Sequence, residues 1–241
     1  MRRPAVAPAL FLVLACALVS SGCQQFFTTS LAASLARPTI SVPATLSAAE
    51  AAELAAEAQA NQDTTLAIAL VASLNDQIAA AGAGAVAANP ALAAAAASAA
   101  VVASGAGSSI IEALDDFIAE GTPDSATVSA LVTEIQTGAT ADVLTALAYL
   151  DPATGMDAAS VSGTVGPTDY AIAAIVLAAS ALPAGVTDPS TMDQAQLDAF
   201  HADPAVVAAQ NIVAEAKTVA TDQASQELLD QLASLLQVPT S

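Results

Sequence analysis

Alanine fills most positions between recurring Leu, Ile and Val in this chain, and that habit narrows the possible folds more than any motif does. Alanine is the best helix former because it loses no side-chain entropy on entering a helix. Strands favour β-branched and aromatic residues in alternation. Here only 3% of the 241 residues are aromatic, none is Trp, and no segment alternates. Leu, Ile and Val return every three or four positions in nearly every segment, which argues against an unstructured low-complexity chain. The expected class is all-α: an irregular array of about ten helices packed as helical hairpins, either a solenoid or a compact bundle. The length suits one domain or two small ones, with ample residues for a core.

Capping chemistry marks the expected helix boundaries. Ser47-x-x-Glu50 is a capping box ahead of AAEAAELAAEAQA. Asp63 or Thr64 starts TLAIALVASLNDQIAAA, which stops at Gly82. Asn89-Pro90 supplies a cap and a first-turn proline for an alanine run to about Ala103. Ser109-x-x-Glu112 opens IIEALDDFIAE, which Gly121 stops. Further helices are expected over about 124–137 and 141–150, and from Thr168 through DYAIAAIVLAASAL, closed by Pro183 and Gly185. Thr191-x-x-Gln194 opens a short helix, Asp203-Pro204 opens one to about 219, and the last covers about 222–237.

Two apolar stretches bear on a membrane. Residues 77–111 carry no charge but are chiefly Ala, Gly and Ser, without the Leu, Ile and Phe content of a span. YAIAAIVLAASAL (170–182) is apolar enough but has the length of a buried helix. It is expected at the centre of the core, with Ile172, Ile175, Val176 and Ala179 along one stripe and neighbours all round. No span is expected in either stretch.

The formal net charge is −19, and beyond residue 23 only Arg37 and Lys217 are positive. Such a surface repels phosphates, so nucleic acid is not an expected partner. It repels anionic lipid equally, so attachment to a bilayer needs something other than charge.

The N-terminal residues offer that something. Arg2 and Arg3, an apolar run from Ala5 to Val19, and Ser20-Ser21-Gly22 read as a secretory signal peptide over residues 1–22. The run is too short and wrongly flanked for a stable span. Cys23 follows directly, and this order resembles the bacterial lipobox, in which signal peptidase cuts before a lipid-modified cysteine. Ser20 stands where that family usually has Leu. Val13-Leu14-Ala15-Cys16 also fits the pattern, although it leaves only a stub of apolar run, and ordinary cleavage without lipid is a third reading. The resemblance implies two or three acyl chains, palmitate among them, on Cys23. A single chain holds a protein only reversibly, each buried methylene adding ~0.8 kcal/mol. Gln24 in place of Asp implies sorting to the outer membrane, facing the periplasm. With Cys23 lipidated and Cys16 removed, no thiol remains for a disulfide, a nucleophile or a metal site.

Residues 23–46 read as lipid anchor and tether, with TTSLAASLAR followed by an extended run through Pro38 and Pro43, and 47–238 as a single helical domain. Phe26 and Phe27 either dip into the bilayer interface or pack on the body. The opening Cys23-x-x-FFTTSLAASLAR is similar to that of spirochaete lipoproteins. Three neighbouring helix pairs, LAAEAQANQDTTLAIALVASL, VSALVTEIQTGATADVLTALAYLDP and VVAAQNIVAEAKTVATDQASQELLDQLASLL, follow one pattern of helix, short turn with an acid, and helix. These resemble degenerate tetratricopeptide pairs, where small residues let two helices approach closely. The 34-residue spacing and that family's Trp, Tyr and Gly are missing.

Residues that carry chemistry are few. His201 is the only histidine, and it reads as an imidazole at a helix C-terminus, favoured by the dipole. There is no G-x-S-x-G, no phosphate-cradling Gly-Lys pair and no dinucleotide fingerprint, so no enzyme activity and no cofactor are expected. Glu112, Asp116 and Glu120 form an acidic stripe, with Asp115 beside it, of the kind that is usually a solvated face. The loop DPATGMDAASVSGTVGPTD (151–169) is rich in oxygen ligands. Asp151, Asp157 and Asp169 make it a candidate cation-binding loop, although their spacing fits no EF-hand. The expected function is a non-enzymatic scaffold or interaction module, anchored through Cys23 and meeting a periplasmic or membrane protein. The alternative is a carrier of a small apolar ligand, loosely similar to the helical lipoprotein T component that accompanies some TRAP transporters.

Overall fold

Capping decides where the helices begin, and the expected caps Ser47, Asp63 and Asp203 are in place. In a computed structural model the chain divides into residues 1–40 and 41–241. Residues 42–120 and 125–236 are described, without the side chains of 114–120, 190 and 235. The expected signal peptide and the TTSLAASLAR stretch, with Cys16, Cys23, Phe26, Phe27, Gly121 and the side chains of Asp115, Asp116 and Glu120, lie outside the described residues.

The helices are α1 (Ala48–Asn61), α2 (Thr64–Ala81), α3 (Ala85–Ala88), α4 (Pro90–Ala103), α5 (Gly107–Glu120) and α6 (Ser125–Gly138). They continue with α7 (Ala141–Ala148), α8 (Ala158–Val161), α9 (Pro167–Ser180), α10 (Gln194–His201), α11 (Pro204–Val219) and α12 (Gln223–Leu235). Two 3-10 turns, Pro152–Thr154 and Pro189–Thr191, complete the regular structure, and no strand occurs among the described residues. The fold is all-α, as the alanine background requires.

At α1 the capping box is complete. Glu50 Oε2 accepts from the Ser47 amide at 2.9 Å and the Ser47 hydroxyl at 2.7 Å, while Ser47 Oγ accepts from the Glu50 amide at 3.3 Å. These bonds hold the Glu50 carboxyl below its ordinary pKa. Asp63, Asp203 and Asp222 cap α2, α11 and α12 through bonds of 2.8–3.0 Å to Leu66, Ala205 and Ser225 amides.

Four expected boundaries differ, the least of them at α9, which begins at Pro167 after Gly166 rather than at Thr168. Asn89 precedes α4, but its amide donates backwards to the Ala85 carbonyl, so Pro90 alone marks the start. Helix α5 begins at Gly107, placing Ser109 inside the helix rather than at its cap. Thr191 closes a 3-10 turn, and Asp193 with Gln196 forms the capping box of α10.

Two helices organise the core. Every residue of α4 from Leu92 to Ala103 is buried, and α1, α2, α7, α8 and α9 pack around it. Alanine makes this possible, because a helix with methyl side chains on all sides lets several neighbours approach closely. The second hub is α9, in contact with α4, α5, α6, α7, α11 and α12. Tyr170 to Ala174 and Val176 to Ala179 are buried along it. The expected central position of α9 holds, with one correction: Ile175 is only partly buried, whereas Leu177, off the expected stripe, is buried.

The many non-neighbour contacts define a compact bundle, since in a solenoid each repeat touches only the next. Helices α1 and α2 pack as a hairpin, and so do α11 and α12. Helices α6 and α7 separate instead: α6 packs on α9 and α5, and α7 on α4 and α2. At that parting Gly138 lies so close to Ser104 that a Cβ would overlap the Ser104 carbonyl oxygen.

Helix α2 is long and apolar enough to cross a membrane by length and composition. Its Leu66, Leu70, Leu74 and Ile78 are nevertheless buried, and α1, α4 and α7 pack against it. Helices α4 and α5 bend by 76° between Ala103 and Gly107.

Candidate functional site

Polar side chains meet near the starts of α8 and α9 and along α11: Asp151, Asp169, Asn211 and Glu215 are buried or half-buried, and Asp157 is exposed. The segment 151–169 is more regular than its sequence suggests, because Asp151 and Asp157 start short helices. Asp151 Oδ1 accepts from the Ala153 amide at 2.9 Å and opens the 3-10 turn, and Asn211 Nδ2 of α11 donates to the same oxygen at 3.1 Å. Asp157 Oδ1 accepts from the Ala159 amide at 3.1 Å and opens α8. Glu215 of α11 accepts from the Ala158 amide at 3.2 Å, tying α8 to α11. Asp169 Oδ2 accepts from the Gly166 amide at 2.9 Å, and Pro167 sets the first turn of α9. Burial pushes the Asp169 carboxyl above the usual aspartate value, although the Gly166 amide opposes the shift.

Among these carboxylates sits Tyr170, fully buried, with a hydroxyl that has no hydrogen-bond partner. Burial pushes its pKa up to about 12, helped by the negative charges of Glu215, Asp157 and Asp169. The phenol therefore stays protonated at neutral pH and is no base or nucleophile. Gly155, at φ +89°, lets this region approach α3: a Cβ there would stand 2.7 Å from the Ala87 methyl.

Asp151, Asp157 and Asp169 are thus each engaged by backbone amides. Among the described residues no three His, Cys, Asp or Glu side chains form a group that could hold a metal ion. Asp151 and Asp157 of the candidate cation-binding loop serve as N-caps, and Asp169 stands in the first turn of α9 with its carboxylate on the Gly166 amide. Sequence reading missed Glu215, Asn211 and Tyr170, since they belong to other helices. The one available signal was a tyrosine inside an otherwise aliphatic helix.

His201 ends α10, as expected, with its ring edge-on to Phe200 at 5.5 Å and its Nδ1 buried without a partner. Glu112 is exposed, in keeping with a solvated face.

A shallow depression of about 730 Å³ lies between the end of α4 and α6, lined by Ser104 and by Ser129, Ala130, Thr133, Glu134, Thr137 and Gly138. Thr133 and Thr137 hydroxyls donate to carbonyls four residues earlier at 2.8 Å, which satisfies them within the helix. The depression is broad and open, unlike the enclosed apolar chamber that a carrier of small ligands needs. Compared with known protein families, curated proteins and solved structures, the chain matches none of them.

Proposed function

We propose that this protein is a lipid-anchored component of the bacterial cell envelope, held through acyl chains on Cys23, whose helical body is a non-enzymatic scaffold or interaction module at the periplasmic face of an outer membrane. The observation that carries the reading is the order of residues 1–23: two arginines, an apolar run, Ser-Ser-Gly, then cysteine. The body suits the role. Its described residues hold a single Lys and no Arg, and Lys217 lies 2.6 Å from Asp230, so an acidic surface keeps the domain soluble beside the bilayer. The polar side chains of the α8–α9–α11 junction cap helices rather than converge on a substrate.

The folded body is also tied down where the tether reaches it. Gln77 of α2 both accepts from the Leu46 amide and donates to the Leu46 carbonyl at 2.9 Å, and the Ser73 hydroxyl donates to the Pro43 carbonyl at 2.7 Å. Leu46 itself is buried.

Replacing Cys23 by Ser tests the anchor, with Cys16→Ser in parallel. Metabolic labelling with palmitate and detergent partition should show Cys23→Ser unlabelled and released from membranes, and Cys16→Ser still labelled. Label retained by Cys23→Ser and lost by Cys16→Ser would move the attachment to Cys16. Label on neither wild type nor variant would end the lipoprotein reading.

A further inference from the structure

Helices α9 and α11 form the most extensive helix pair among the described residues, yet residues 181–203 make a long excursion between them. That excursion holds the Pro189–Thr191 turn and α10, and no residue of α10 is buried. It is internally consistent. Asp193 and Gln196 complete a capping box, Gln194 donates to Asp198 Oδ1 at 2.8 Å, and the Thr191 hydroxyl donates to the Asp188 carbonyl at 2.7 Å.

The described side-chain cluster that docks it is apolar and thin. Val186, Met192, Leu197 and Phe200 lie on Val128 and Val132 of α6 and on Leu182; of these seven only Val132, Leu182 and Met192 are buried. This cluster stands beside the main core. The buried Nδ1 of His201 has no partner there, and water would satisfy it on opening. Pro183 and Pro204 bracket the segment, and Gly185 at φ +84° provides a turn near one end.

We infer that residues 183–203 are a flap that opens as a unit, exposing Val128, Val132 and Leu182, while α4, α9 and α11 stay folded. Both ends are held by helices that pack on each other, so opening breaks neither hub. An isolated eight-residue helix is not stable in water, so α10 melts when it undocks. Local openings of this kind cost less than global unfolding.

Hydrogen exchange resolved by peptide tests the flap on the full chain. Amides of residues 195–202 should exchange roughly tenfold or more faster than those of α4 and α9, and their rates should hardly change with low denaturant. Phe200→Ala should speed exchange in 195–202 by roughly a further tenfold and leave α4 and α9 unchanged. If residues 195–202 are as protected as α4 and α9, and Phe200→Ala accelerates all three together, α10 belongs to the core and the flap is wrong. A Phe200→Leu variant, which keeps an apolar anchor, should restore most of the protection. Failure to restore it would show that docking does not rest on that apolar contact.

Discussion

Tyr170 carries the clearest prediction at the scale of one residue. A buried hydroxyl without a partner loses its hydration and gains nothing in return. Tyr170→Phe keeps the ring and removes the oxygen, so it should raise stability by about 1 kcal/mol, read as a shift of the urea midpoint at constant slope. A Phe variant less stable than wild type would show that the hydroxyl is bonded in solution, and Glu215, whose charge acts on the phenol, is the acceptor to test by Glu215→Gln. Gly138 acts in the opposite sense. Its missing side chain is where the Ser104 carbonyl sits, and backbone cannot swing aside as a flexible side chain can. Gly138→Ala should cost about 1–3 kcal/mol by forcing α6 off the end of α4. An unchanged midpoint would mean that the two backbones are farther apart than they stand here.

At the scale of the element, what the sequence reveals is what short-range chemistry decides. N-caps act within three residues, so Ser47, Asp63 and Asp203 could be read directly, and all three hold their amides. Facing and partnership are different matters. Helix α4 is nearly uniform in Ala, so no periodicity says which side is inward, and its role as a hub appears only once its neighbours surround it. The polar junction was equally hidden, since Glu215 meets Ala158 across 57 residues and Asn211 meets Asp151 across 60. In α9 the apolar stripe was legible, but Ile175 looks partly outward while Val176 is fully buried. Substitution should separate them. Val176→Asp places an unpaired charge in the interior and should abolish folding, and Ile172→Ala should cost about 2–5 kcal/mol. Ile175→Asp should leave a folded, weakened protein by circular dichroism. Asp at Ala126, exposed in the first turn of α6, should be tolerated because the helix dipole favours it. A folded Val176→Asp variant would remove α9 from the core.

For the whole molecule the governing quantity is charge. A formal −19 on 241 residues means that carboxylates repel one another throughout the folded state, and Asp169 adds a local penalty. Its pKa is raised by burial, so the folded chain holds that proton more tightly than the unfolded chain does. The contribution to stability is complete below the ordinary aspartate value of 3.8 and is lost as pH rises through the higher folded value. Glu50 and Asp222 run the other way. Hydrogen bonds to Ser47 and Ser225 hold them below their ordinary 4.5 and 3.8, so their contributions are present above those values and vanish on further acidification. Stability should therefore increase as pH is lowered from 7 toward 4, then fall once the capping carboxylates protonate. Added salt at pH 7 should stabilise as well, by screening the exposed charges. Asp169→Asn separates the local effect from the global one. The amide oxygen can still accept from Gly166, but the proton linkage is gone, so the variant's gain between pH 7 and 4 should be smaller than that of wild type. Parallel curves for the two proteins would place the whole pH response in surface repulsion, and Asp169 would then be as well solvated in the folded chain as in the unfolded one.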